Sequence, residues 1–99
     1  MPGGSKKPTG AFIHALAGIL RGQVGTLQLK QEEIAQAIGI SRGQMSKILR
    51  GEKQIDLEQL DELCWVIGLS FRDTVVAADE RSRLRHGGPE WTVPTLVHH

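Results

Sequence analysis

Twenty consecutive residues, QEEIAQAIGISRGQMSKILR from Gln31 to Arg50, constrain the fold more than any other part of the chain. Ile34, Ile38, Ile40, Met45 and Ile48 fall where two short helices would face a common core. Ala35 supplies the small residue needed where the helices touch, and Gly39 stands at the bend between them. Helices crossing at about 90–120° through a tight turn need residues of these types at these offsets, often with Gly in the turn. An arbitrary amphipathic hairpin meets a few of the conditions by chance. This segment meets all seven and reads as a helix-turn-helix.

The flanking sequence supplies the rest of a helical core. From Gly10 to Val24, Phe12, Ile13, Leu16, Ile19, Leu20 and Val24 recur at steps of three and four, which predicts an amphipathic helix closed by Gly25. A second helix ends at Gly39. A third starts from the N-cap Ser41 and reaches Arg50, with Gly51 as its stop. Asp56 followed by Gln59 resembles a capping box opening a fourth helix, whose predicted inward stripe is Leu57, Leu60, Leu63, Cys64 and Ile67, ending at Gly68. Trp65 falls beside that stripe, and packing beneath the first or fifth helix is its expected role, with a dimer interface as the other. Ser70 and Asp73 repeat the capping signal for a fifth helix running to about His86. With 99 residues the chain has room for one domain, and at that size most apolar residues at helical spacing are needed for the core. The expected organisation is all-α: a flexible basic arm over residues 1–9, a compact five-helix bundle over 10–86, and an extended tail over 87–99. Pro89 and Pro94 bar a helix from the tail, yet Trp91, Val93, Leu96 and Val97 make it strongly apolar.

The helix-turn-helix, Gln31 at the start of its first helix, and the continuation ISRGQMSKILRGEKQIDLEQLDELCWVIGLS together resemble the phage repressor and Cro type of DNA-binding domain, the Xre family. The likeness covers residues 10 to about 70. It implies a lambda-repressor-like bundle that binds inverted-repeat operator DNA as a homodimer. The chain departs from the family pattern at Leu49, where many members carry an acid paired with a base on the first helix. An apolar contact with Leu20 or Val24 is expected to replace the ion pair.

The side chains suit that role. A helix fits the major groove of B-DNA, and the N-terminal residues of the recognition helix meet base edges. With Met45, Ile48 and Leu49 turned inward, Arg42, Gly43, Gln44 and Lys47 are the candidate base readers: Arg42 and Lys47 match guanine O6 and N7, and Gln44 matches adenine N6 and N7. Gly43 reads equally as a residue allowing close approach to the groove and as a simple irregularity of the helix's first turn. Gln31, Lys30, Ser41, Ser46, Arg50, Lys53 and Gln54 are the candidate phosphate contacts, Gln31 foremost because its side chain and the free amides of a helix start can serve one phosphate. Lys6 and Lys7 are assigned arm contacts to DNA, and Trp91, Val93, Leu96 and Val97 a dimer interface together with the fifth helix.

The formal net charge of +1 conceals a polarity. Residues 1–55 hold eight basic against three acidic residues, and residues 56–99 four basic against eight acidic, giving +5 and −4. This division suits one face toward a polyanion and another turned away, and charge alone equally describes solvated helix faces. Cys64 lies on an apolar stripe and is expected to be an inert buried thiol. The histidines are scattered, and no catalytic grouping or phosphate-cradling loop stands out. No enzyme activity, cofactor or metal is expected, and the compartment is expected to be cytoplasmic, without membrane contact. A different reading remains: an antitoxin or protein-interaction module of the same fold, with the tail covering a protein partner.

Overall fold

The computed structural model describes residues 9–85. Five helices follow one another: α1 Ala11–Thr26, α2 Gln31–Ile38, α3 Arg42–Leu49, α4 Leu57–Ile67 and α5 Phe71–Arg85. No strand occurs among the described residues. α5 packs chiefly along α1, α2 crosses α3, and α4 closes the bundle against α2, α1 and α5. The core draws on every helix, with Leu20, Met45, Leu63 and Ile67 wholly buried and Ala78 letting α5 approach closely. The arm residues 1–8 and the tail, including Trp91, Val93, Leu96 and Val97, lie outside the described residues.

Helix boundaries follow from local chemistry. Ser41 Oγ accepts from Gln44 N–H, Asp56 Oδ1 from Gln59 N–H and Ser70 Oγ from Asp73 N–H, so three of the starts carry a side-chain cap. At the other ends, α2, α3 and α4 share one device. Gly39, Gly51 and Gly68 adopt φ of 77°, 77° and 78°, and the amide after each glycine reaches five residues back: Ile40 to Ala35, Glu52 to Lys47 and Leu69 to Cys64. This is the paired bonding of a Schellman ending, for which glycine avoids the Cβ penalty of left-handed backbone.

α1 ends in the same way but corrects the expected stop. Gly25 lies within the helix, which continues to Thr26. The left-handed residue is Gln28, at φ 55°, followed by the Leu29 N–H bond to the Val24 carbonyl. Leu29 packs against the core, and that burial sets the reversal one turn later than the nearest glycine suggests. Two further expectations fail on α4. Leu57 is 73% exposed and Trp65 is 87% exposed. Leu57 sits at the first helical position, before the bundle closes around the stripe. Trp65 points away from Leu60, Leu63, Cys64 and Ile67, so neither α1 nor α5 covers it. Cys64 is buried as expected, and burial pushes its thiol above the ordinary range.

Candidate nucleic-acid interface

α3 presents two faces. Met45, Ile48 and Leu49 are buried, while Arg42, Gly43, Gln44, Lys47 and the C-cap Arg50 are exposed and Ser46 is half-buried. All four predicted base readers therefore stand on the outer side of one short helix. No Cβ clash guards Gly43, since a methyl there would meet only Ser41 Oγ at 3.9 Å. Gln44 is partly engaged at home: its Oε1 accepts from Ser41 N–H at 3.3 Å, completing a capping box. That bond is long and exposed, and rotating the amide outward costs little.

The expected phosphate contacts divide. Lys53 and Gln54 line an open groove of ≈ 880 Å³ together with Gln44, Lys47, Glu52, Asp56, Gln59 and Thr9. The structure thus joins two base-reading candidates to two phosphate candidates along the seam between α3 and the start of α4. Gln31 and Lys30 stand at the start of α2, where Lys30 offers no side-chain cap and Glu32 and Glu33 occupy the first turn. Arg50 and Ser46 are engaged with each other. Arg50 Nη1 donates to Ser46 Oγ, while Nε and Nη2 grip both oxygens of Glu52 at 3.0 and 3.1 Å. The Glu52 carboxylate raises the Arg50 pKa, and Arg50 in turn holds Glu52 below its usual range, chiefly through that hydrogen-bonded contact. Both side chains are exposed to solvent over about half of their surface, and the pair contributes little to stability.

Behind α3, Leu49 is buried, as expected for an apolar replacement of the family's ion pair. A basic residue of α1 reaches the same place regardless: Arg21 Nη1 donates to the Leu49 carbonyl, satisfying a group left open at the helix end. Sequence reasoning did not identify Arg21, because its partner is a backbone atom, nor Thr9, whose hydroxyl is bound to Gly51 across 42 residues.

Residues 20–80 match the model of the Cro/C1-type HTH DNA-binding domain. Among solved structures, the clp gene regulator ClgR from Corynebacterium glutamicum is 28% identical, with a TM-score of 0.69 over 81% of this chain and 85% of that one. The restriction-modification controller protein C.AhdI from Aeromonas hydrophila is 22% identical, at a TM-score of 0.59 over 65% and 93%. A hypothetical transcription factor, NHTF from Neisseria, is 21% identical at 0.62 over 81% and 94%. The latter two show the shared fold alone. No curated protein matches the chain.

Proposed function

The chain belongs to the Cro/C1-type helix-turn-helix DNA-binding family, and we propose that it is a transcriptional regulator that reads duplex operator DNA through α3. One observation carries this reading: Arg42, Gly43, Gln44 and Lys47 form a solvent-facing, acid-free strip on a helix whose opposite face is locked into the core. Base recognition requires that the reading helix be rigidly held and its outer side unoccupied. Arg42 and Lys47 are assigned to guanine and Gln44 to adenine. Lys53 and Gln54 flank them as phosphate contacts, with Lys30, Gln31, Ser41 and Ser46 behind. Arg50 joins them by exchanging Glu52 for a phosphate oxygen.

Reading a few base pairs leaves too little discrimination over competing genomic DNA, and two half-sites about 34 Å apart make up the difference. Homodimeric binding to an inverted repeat is therefore part of the proposal, as repressor or Cro-like regulator, without cofactor or catalysis. The exposed Trp65, beside Val66 and Ala37 and distant from α3 in sequence, supports a protein contact on that side. Among the described residues, no helix is long and apolar enough to cross a membrane.

Selection of binding sites from random duplex DNA, repeated at two salt concentrations, tests the reading. Enrichment of a two-fold symmetric site that persists at the higher salt is expected. Binding without enrichment, falling steeply with salt, would leave a sequence-blind polyanion binder in its place.

A further inference from the structure

α4 carries a surface that the reading of DNA by α3 leaves unused. Trp65 is 87% exposed and its neighbour Val66 39%, and with Ala37 of α2 they line an open recess of ≈ 280 Å³ whose other walls are Asp61 and Glu62. Asp61 and Glu62 precede Trp65 by four and three residues, and Glu58 stands one turn further back, so all three carboxylates share the indole's side of the helix. No basic residue lines the recess. Neither ion pair of the described residues, Arg50–Glu52 and Arg83–Asp79, involves these acids.

An exposed indole beside carboxylates is matched by one side-chain chemistry. A guanidinium is planar, stacks on the face of an indole and grips a carboxylate through two parallel hydrogen bonds. A lysine ammonium brings the charge without the plane. Val66 and Ala37 extend the apolar area beyond the ring, and a lone cation would leave them wet, whereas an apolar residue next to the arginine on the same chain covers them. A second copy fits poorly. A two-fold contact uses the same patch on both sides, which would set Glu58, Asp61 and Glu62 against their own equivalents, so a homodimer leaves the recess free. The same carboxylates repel DNA.

We propose that the Trp65 recess is a docking site for a basic polypeptide segment of another protein, whose arginine stacks on the indole and pairs with Asp61 and Glu62. The proposal goes beyond the reading of DNA by α3 and does not rest on it.

The test uses the full chain carrying Trp91→Phe, in which Trp65 is the sole tryptophan, and three labelled peptides of equal length in which Leu alternates with Arg, Lys or Glu. Without peptide, Trp65 should emit as a water-exposed indole at every protein concentration, and the Arg peptide should change that emission saturably. By fluorescence anisotropy the Arg peptide should bind about threefold more tightly than the Lys peptide, and the Glu peptide should not bind. Trp65→Ala should weaken the Arg peptide about fivefold and erase its advantage over the Lys peptide. Asp61→Asn/Glu62→Gln should weaken both cationic peptides about fivefold and flatten their salt dependence. Affinity for the selected duplex should be the same with and without Trp65→Ala. Equal binding of the Arg and Lys peptides, or an Arg peptide indifferent to Trp65→Ala, would overturn the proposal. So would a shielded indole in the peptide-free chain: shielding at every concentration would mean that the chain covers its own recess, and shielding that grows with concentration that a second copy does. Weaker duplex binding by Trp65→Ala would place the recess against DNA and overturn it as well.

Discussion

α3 and α4 obey the same rule on their inner faces and opposite rules on their outer ones. Each buries residues at steps of three and four: Met45, Ile48 and Leu49 on α3, and Leu60, Leu63, Cys64 and Ile67 on α4. Outside, α3 shows Arg42, Gln44 and Lys47, whereas α4 shows Glu58, Asp61, Glu62 and Trp65. The core determines only which positions face inward, so the outer face of each helix is available for a different partner. A polyanion is drawn to the first surface and repelled by the second. An indole left in water among carboxylates is suited to contact with protein.

The comparison is broken most severely by removing what the two helices share. Met45→Ala and Leu63→Ala each leave a cavity at a fully buried site and should cost about 2–5 kcal/mol in denaturant unfolding. Trp65→Ala, on the same helix as Leu63, should stay within about 0.5 kcal/mol; a loss near that of Leu63→Ala would show that Trp65 is covered by the tail or a second copy. Gly51→Ala forces a side chain into left-handed backbone and against His14, and should cost about 1–3 kcal/mol of stability. If the melting temperature is unchanged, the close approach of α1 to the end of α3 is not rigid.

Function should divide along the same line. Arg42→Ala is expected to cost about 1–3 kcal/mol on the selected site and to relax preference at one or two base pairs, while Lys53→Ala weakens all sequences alike and lowers the salt slope by about one. Glu62→Gln on the acidic side should leave the base preference unchanged. A shift in preference there, measured by competition with mutated sites, would place α4 on the DNA. The smallest effect concerns the Arg50–Glu52 pair. Glu52→Gln frees a guanidinium and removes an acid, so affinity should rise about twofold with a slightly steeper salt slope. The Glu52 pKa is lowered in the folded state, so the pair is fully formed above the unfolded carboxylate value and is lost as pH falls through the depressed one. The difference between wild type and Glu52→Gln should shrink over that acidic window, and a constant difference would mean that the Glu52 charge is not what limits the affinity.

How much of this was legible in the residues varies by element. The helix-turn-helix was readable because each of its requirements is local: a glycine able to take φ near 77°, a small residue at the crossing, a serine cap, and apolar residues in phase. The outward side of α3 followed from the same phase. The end of α1 did not, because Gly25 and Gln28 compete for one turn and the winner depends on whether Leu29 can be buried. The fate of Arg50 was also hidden, since a base two residues before an acid reads equally as two solvated charges.

By itself, then, the sequence determined the number and order of the helices, the identity of nearly all the core and the face of α3 left exposed, since helical periodicity and capping act over a few residues. Tertiary structure alone decided the rest. Trp65 and Leu57 are exposed because no other helix among the described residues passes over them, which depends on how α2, α4 and α5 cross. Arg21 caps α3, and Thr9 is tied to Gly51, through backbone carbonyls 28 and 42 residues away. A carbonyl is present at every position, so nothing in the sequence marks which one a distant side chain will reach; only the packed geometry selects it.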